Sequence, residues 1–285
     1  MNITLTCIPC MVDSLHRLMN DGLLPPHLKE PAMRRLLTFL AEADYDQSPP
    51  ALGREMARVI RDALHTRDPY REIKAKYNRL VLELYPKFSR MVERSGDPVD
   101  LALRLAIAGN VIDFGAQVQP DVMGTVKRIM RTPLAIDDSE FLRRDLAHST
   151  RLLVVGDNCG EIVFDRLLLQ TLHHPGATYA VRGGAVLNDA TFEDAETVGI
   201  SSVARLITTG DDAPGVVWST ASQEFRDQLL SADVVIAKGQ GNLEGLLEVR
   251  HNIYFLLMVK CDPIAHHLGV RRNDFVLKRS PNATP

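Results

Sequence analysis

The stretch Arg151-Leu-Leu-Val-Val-Gly-Asp-Asn-Cys-Gly-Glu161 decides the fold class of this 285-residue chain. Its first residues form a short, nearly continuous apolar run, which is typical of a β-strand buried on both faces. A glycine-containing loop follows, and an apolar pattern with helical spacing then runs from Ile162 to Leu172. The order strand, loop, helix indicates one unit of a parallel α/β sheet.

The same alternation of strands and helices continues towards the C-terminus. The further strand-like runs are Thr178–Val181, Ala204–Thr208, Asp233–Ala237 and Tyr254–Val259, and Gln223–Leu230 has a helical pattern. Strands that alternate with helices favour a sheet covered by helices on both faces. We therefore expect an α/β fold with a three-layer α/β/α core and a mainly parallel sheet.

The first half of the chain has a different spacing of apolar residues. From Met11 to about Gln117, apolar residues recur at helical spacing, and no convincing strand is visible before residue 150. Pro86 should end or kink the helix in which it falls. We expect a helical N-terminal domain over residues 1–148 and an α/β domain over residues 149–285.

Composition excludes several classes of protein. Hydrophobic residues make up 45% and charged residues 24%, and the net charge of −3 gives no large basic footprint for nucleic acid. No apolar run reaches the roughly 18 residues that span a bilayer. The first twenty residues lack the basic head and apolar core of a signal peptide, so we expect a cytoplasmic protein without a membrane or nucleic-acid partner. The oligomeric state stays open.

Polar side chains follow the predicted strands, at the sheet edge where open α/β folds bind ligands. Asp157 and Asn158 follow the first strand, and Asp189 follows the second. Their oxygens suit a hard divalent cation such as Mg²⁺ or Mn²⁺. Lys238, on a glycine-rich turn after the fourth strand, could meet a phosphate group. Cation, lysine and backbone amides together are typical of phosphoryl chemistry.

Simpler interpretations exist for each of these motifs. The Asp157-Asn158 loop and the Asp189 loop could each be a turn that caps the following helix. The run Gly239-Gln-Gly-Asn-Leu-Glu-Gly245 is similar to a dinucleotide-binding fingerprint, but its third glycine comes one place late.

Cys7-Ile-Pro-Cys10 precedes an amphipathic helix whose N-terminus could lower a thiol pKa. Cys7 and Cys10 are candidates for a redox pair or for part of a second metal site. A zinc site usually has four ligands, and only two other cysteines are present. The alternative is that these cysteines pack at the junction between the two domains.

Several longer stretches together resemble the metal-dependent damage-control phosphatase family, formerly the domain of unknown function eighty-nine. They are Gly156-Asp-Asn-Cys-Gly-Glu-Ile-Val-Phe-Asp165, Val181-Arg-Gly-Gly-Ala-Val-Leu-Asn-Asp-Ala-Thr191 and Ala232-Asp-Val-Val-Ile-Ala-Lys-Gly-Gln-Gly-Asn242. The resemblance extends to Gly109-Asn-Val-Ile-Asp113 and covers nearly the whole chain. The N-terminal Cys-x-x-Cys is similar to the stand-alone microbial branch.

The resemblance implies a divalent metal ion, Mn²⁺, Mg²⁺, Co²⁺ or Ni²⁺, and hydrolysis of small phosphorylated metabolites such as sugar phosphates or damaged phosphometabolites. It places the metal on Asp157, Asn158 and Asp189. It places substrate phosphate near Lys238 and Asn242, with further candidate residues at Asn110, Asp113 and Glu161. We count Asp157, Asp189, Lys238 and Asp113 as the candidate catalytic residues, with Asp113 and Glu161 as candidates for proton transfer or support of the ligands.

A metal-dependent phosphatase is thus the principal functional hypothesis, with either water or a carboxylate as the nucleophile. One alternative is an S-adenosylmethionine-dependent carboxyl methyltransferase, in which the glycine-rich turns hold that cofactor. The other is a non-catalytic module that binds a metal or a phosphometabolite, or that senses redox state through Cys7 and Cys10.

Overall fold

The computed structural model describes residues 1–20, 24–110 and 121–283. Up to residue 110 the chain is helical, as the apolar spacing predicted. The helices there are α1 (Cys7–Asn20), α2 (Pro26–Glu42), α3 (Pro49–Leu64), α4 (Arg71–Glu93) and α5 (Pro98–Gly109). Helices α1, α2 and α3 bury their apolar faces against one another in a cluster of their own. Two further helices, α6 (Val122–Arg131) and α7 (Ser139–His148), precede the main sheet strands.

The second half of the chain forms the sheet. Its strands are β1 (Ile136–Asp137), β2 (Leu152–Val155), β3 (Ala177–Val181), β4 (Arg205–Thr208), β5 (Val234–Lys238), β6 (Ile253–Met258) and β7 (Phe275–Arg279). The helices between them are α8 (Glu161–Leu172), α9 (Phe192–Val198), α10 (Gln223–Ser231), α11 (Gly239–Leu246) and α12 (Asp262–Leu268). The spatial order is β1-β7-β6-β5-β2-β3-β4, and every neighbouring pair is parallel except β6 with β7. The expected mainly parallel sheet is confirmed.

Alternation along the strands produces the three layers. In β2, Leu152 and Val154 face one hydrophobic cluster, whereas Leu153 and Val155 face another on the opposite side of the sheet. The first cluster also contains apolar residues of α4, α5 and α8, and the second contains residues of α10, α11 and α12. Helices α4 and α5 therefore share a core with the sheet. The boundary at residues 148 and 149 stays a prediction.

The expectation of no strand before residue 150 is wrong, and of the two outcomes expected at Pro86, an end of the helix is not observed. Residues 136–137 form a strand before residue 150, because two residues of β1 pair in parallel with β7 at the sheet edge. Helix α4 continues through Pro86 to Glu93. The proline forfeits one helical hydrogen bond, but Phe88 and Val92 beyond it are buried in the core, and their burial offsets that loss.

Within the three described ranges, none of the helices combines the length and apolar character that crossing a bilayer requires.

Candidate active site

The candidate site lies where the strand order of the sheet reverses. Strand β2 pairs with β3 on one side and with β5 on the other, so the loops after β2 and β5 diverge at their carboxyl ends. Open α/β sheets bind ligands in the crevice that forms at such a point. Asp157 follows β2, and Lys238 is the last residue of β5.

The loops that carry Asp157 and Asp189 are joined through their backbones. The Cys159 N–H donates to the Asn188 carbonyl at 2.9 Å, and the Ala190 N–H donates to the Asp157 carbonyl at 2.8 Å. Asn158 and Asp189 lie opposite each other in an isolated β-bridge. The structure thus brings the three predicted metal-binding residues together at one edge of the sheet.

Arg182, the first residue after β3, connects these carboxylates, and sequence reasoning did not assign it a role. Its Nε donates to Asp189 Oδ2 at 2.6 Å, and its Nη2 donates to Asp157 Oδ1 at 3.1 Å. Its Nη1 donates to Asn242 Oδ1 at 3.0 Å. The feature of the sequence that could have pointed to Arg182 is the position of a charged residue directly after a buried strand.

Lys238 connects a second pair of buried carboxylates. Its Nζ donates to Glu161 Oε1 at 2.6 Å, to Asp165 Oδ1 at 2.5 Å and to the Ala106 carbonyl at 3.0 Å. An ammonium group has three N–H donors, so all of them are occupied. Direct contact with phosphate would require one of these bonds to break, and the predicted phosphate-binding role of Lys238 stays a prediction.

Two asparagine amides link the Asp157 carboxylate to the Glu161 carboxylate. Asn110 Nδ2 donates to Asp157 Oδ2 at 2.9 Å and to Glu161 Oε2 at 3.0 Å. Asn158 Nδ2 contacts the same two oxygens at 2.8 and 3.3 Å. Asn110 belongs to the end of α5, so the helical half of the chain contributes directly to the site, as the resemblance implied.

The cluster contains more buried negative charge than positive charge. Among the described residues, its four carboxyl groups form ion pairs with only Arg182 and Lys238, so these six groups carry a net charge of −2 when fully ionised. Burial raises the pKa of Asp157 to about 7, and repulsion from Asp189 and Glu161 adds to the shift. Burial likewise raises the pKa of Asp165 to about 6 and holds the pKa of Asp189 above its ordinary value.

The other predicted site residues have varied positions. Asn242 is fully buried, and its Nδ2 donates to the carbonyls of Gly156 and Lys238 at 3.0 and 2.6 Å. Together with the hydrogen bond from Arg182, these contacts connect Asn242 to the loop after β2, to the loop after β3 and to the end of β5. Asp113 lies outside the described residues.

Gly239 allows the turn after β5 to approach Asp157. Its φ of +77° belongs to the left-handed region that glycine favours. A Cβ atom at this position would overlap Asp157 Oδ2 and would lie 3.1 Å from Asn110 Nδ2. Only glycine therefore fits between the turn and the carboxylate.

Of the four cysteines, Cys159 lies in the Asp157 loop, with its Sγ 4.0 Å from the Asp189 carbonyl oxygen. Cys7 begins α1, and Cys261 Sγ accepts a hydrogen bond from Gln240 Nε2 at 3.3 Å. Burial raises the pKa of the Cys10 and Cys261 thiols, which favours their protonated form. In the described part of the chain, no three His, Cys, Asp or Glu side chains are placed to hold one metal ion. The redox or second-metal role of Cys7 and Cys10 stays a prediction.

The absence of such a triple is compatible with the predicted cation site, because that site consists of two carboxylates and the amide oxygen of Asn158. Its chemistry fits a divalent ion in two respects. The excess charge of −2 is what one such ion would cancel. Among the described residues, the buried Asn110 Oδ1 also has no hydrogen-bond partner.

Comparison with known proteins places the chain in one family. The Damage-control phosphatase ARMT1-like domain matches residues 3–276. The chain is 31% identical to a damage-control phosphatase of Pyrococcus horikoshii, over 98% of this chain and 99% of that protein. It is 34% identical to a damage-control phosphatase of Archaeoglobus fulgidus, over 85% of this chain and 86% of that protein.

The fold is also that of a solved relative. The crystal structure of a DUF89 family protein from Pyrococcus horikoshii is similar with a TM-score of 0.88 and 31% sequence identity, covering 98% of this chain and 99% of that one. The match extends over the helical half as well as the sheet. The chain therefore belongs to the damage-control phosphatase (DUF89) family.

Proposed function

We propose that the protein is a divalent-metal-dependent phosphatase that hydrolyses small phosphorylated metabolites. The observation that carries the proposal is the buried cluster at the reversal of strand order. Two carboxylates and an amide converge there, within a group of four carboxylates and two cations whose net charge is −2 when fully ionised. Family membership supports the reaction class, because relatives over nearly the whole chain are named damage-control phosphatases.

The residues of the site have separate roles in this proposal. Asp157, Asn158 and Asp189 would hold the ion, Mn²⁺, Mg²⁺, Co²⁺ or Ni²⁺, through oxygen atoms. When bound, the ion supplies Lewis-acid polarisation of a phosphoryl oxygen and neutralises charge that develops in the transition state. Lys238 helps to hold the Glu161 carboxylate beside Asp157, because Oε1 accepts from the ammonium group and Oε2 accepts from the two asparagine amides.

Burial makes this arrangement effective. Asp157, Glu161, Asp189 and Lys238 are all less than 9% exposed, so their mutual interactions are weakly screened by water. Because the loops are tied together by backbone hydrogen bonds and by Asn242, the polar groups are fixed before substrate arrives. The cytoplasmic location and the metabolite substrate predicted from the sequence belong to this proposal.

The test uses the purified full-length chain. After chelation and desalting, hydrolysis of p-nitrophenyl phosphate and of a panel of sugar phosphates is measured without metal and with each of the four ions. We expect activity only with added metal, and loss of that activity in the D157N variant. Equal hydrolysis in chelator, or wild-type activity in D157N, would overturn the proposal. Calorimetric titration with S-adenosylmethionine should give no binding heat.

A further inference from the structure

Arg182 connects two loops of the site with helix α11, although the proposed reaction does not require it to touch substrate. Its side chain is 1% exposed. It contacts Asp157 after β2, Asp189 after β3 and Asn242 in α11, one N–H group to each. No other described side chain donates hydrogen bonds to both predicted metal-binding carboxylates.

The contacts of Arg182 fix the rotation of both carboxylates. It uses only one oxygen of each, Asp157 Oδ1 and Asp189 Oδ2. Asp157 Oδ2 faces away from Arg182, towards the amides of Asn110 and Asn158. A planar guanidinium fork sets angles as well as distances, and it stays protonated at any pH at which the protein is folded.

Arg182 also sets the charge of the site. Without it, Asp157 and Asp189 would be two buried negative charges joined by no cation. With it, this pair carries one excess charge, and the Lys238 pair carries the other. The cluster as a whole then matches the charge of one divalent ion.

We propose that Arg182 is a positioning residue for the divalent cation: its fork holds the Asp157 and Asp189 carboxylates at the spacing and orientation that the ion requires. The inference rests on the proposed function, since it concerns the ion that the phosphatase would use. It adds a residue outside the predicted ligand set. Asn242, which accepts from Nη1, holds the guanidinium plane in place.

The chain offers a matched control. Lys74 is another buried cation shared by two carboxylates, with Nζ 2.8 Å from Asp68 Oδ2 and 2.9 Å from Asp194 Oδ2. It contacts none of the predicted metal ligands. Substitution of Lys74 therefore measures the general effect of removing a buried cation shared by two carboxylates. Substitution of Arg182 measures the effect of such a removal on the ion site.

The experiment measures the Mn²⁺ dissociation constant by isothermal titration calorimetry for the chelated, desalted wild type and for R182K, R182Q and K74Q. Melting temperatures in chelator are recorded in parallel. We expect Mn²⁺ binding to weaken about tenfold in R182K, which keeps the charge but loses the fork, and about 10- to 100-fold in R182Q. K74Q should bind Mn²⁺ like the wild type even where its melting temperature in chelator is lowered.

The outcomes separate the two proposals. If the wild type binds no Mn²⁺ and no other divalent ion, the metal-dependent function fails and the role of Arg182 fails with it. If the wild type binds but R182K binds equally well or more tightly, the positioning role is overturned while the phosphatase proposal stands. If R182Q fails to fold, the Mn²⁺ affinity of R182K alone tests the positioning role. Equal weakening in K74Q would make the effect a general one and would also overturn the role.

Discussion

Two regions of the molecule bury cations among twice as many carboxylates, and they differ in how far those carboxylates are enclosed. At Lys74, the partner side chains Asp68 and Asp194 are 18% and 15% exposed, so both still reach water. Although burial opposes it, attraction to Lys74 lowers the pKa of Asp194. In the site cluster, burial and mutual repulsion instead raise the pKa of Asp157 to about 7.

The difference teaches how to separate a structural ion pair from a functional site. Asp194 Oδ2 also accepts hydrogen bonds from the Thr191 N–H and hydroxyl at 3.0 and 2.7 Å, and these bonds stabilise its ionised form. The carboxylates around Arg182 and Lys238 outnumber their cations in the same two-to-one ratio as at Lys74, but they are enclosed. A buried cluster that is costly in its ionised form without a further cation is the kind that functional sites contain.

The largest expected effect is on activity. D157N keeps the shape of the side chain but removes a charged oxygen ligand, so we expect Mn²⁺-dependent phosphatase activity to fall at least about 1,000-fold. Steady-state kinetics with p-nitrophenyl phosphate measure the change. K74Q, the counterpart in the other region, should stay within about threefold of the wild type, and a comparable loss there would erase the distinction between the regions.

The next effect concerns stability. K238M leaves Glu161 and Asp165 buried without their shared cation, and we expect the free energy of unfolding to fall by about 3–5 kcal/mol. K74M should cost only about 1–2 kcal/mol, because water can solvate Asp68 and Asp194. Urea denaturation of both variants measures the difference. Similar costs would show that exposure of the partners does not matter.

The pH dependence of the metal-free protein should reveal the excess charge. The pKa of Asp157 is higher in the folded state, about 7, than its ordinary value of 3.8. Its ionisation therefore opposes folding: stability is greatest below about pH 4 and is lost as the pH rises through 7. In chelator we expect a lower melting temperature at pH 8 than at pH 5.5, with Mn²⁺ restoring it.

D157N is the control for this pH profile. Without the titrating carboxyl group, the fall in melting temperature between pH 5.5 and pH 8 should be smaller in chelator. A wild type whose stability in chelator does not fall over this range would contradict the view that the cluster lacks positive charge.

The smallest effect on stability is expected at Asp212, where two arginines contact one carboxylate. Asp212 accepts hydrogen bonds from Arg58 and Arg61 of α3. Burial opposes ionisation, but these arginines lower the pKa of Asp212 to about 2. Its contribution is present above about pH 4 and is lost as the pH falls through 2. After solvent screening, D212N should cost about 1 kcal/mol at pH 7.

Urea denaturation at pH 7 and at pH 3 measures this contribution, and the cost of D212N should be smaller at pH 3. A larger cost at pH 3 than at pH 7 would show that the ionised carboxylate does not stabilise this contact between α3 and the loop after β4.

Most of the sheet was predictable because its strands are continuous apolar runs. β2, β3, β4, β5 and β6 all match predicted strands within one or two residues. β1 is only two residues long, too short for a period-two pattern. β7, Phe275–Arg279, lies between β6 and the short edge strand β1, and two of its residues are only partly buried. Its polar end hides the strand from a hydrophobicity argument.

The candidate site was predictable to the level of loops. Residues that follow neighbouring parallel strands must meet at one edge, which is why Asp157, Asn158 and Asp189 converge. Sequence position does not tell whether a lysine points into solvent or into a core, and Lys238 turns towards Glu161, Asp165 and the end of α5. The contacts of Arg182 depend on two loops and helix α11 at once, and no local pattern encodes them.

Helix α5 and the residue directly after it supply the Ala106 carbonyl and the Asn110 amide to a cluster otherwise built from residues 157–242. The polar network is complete only after segments more than 45 positions apart have docked, which places it late among the contacts formed during folding. Binding of a divalent ion by a refolding chain would then report when the two halves have docked. A newly made chain would become able to hydrolyse substrate only after both halves had folded and docked.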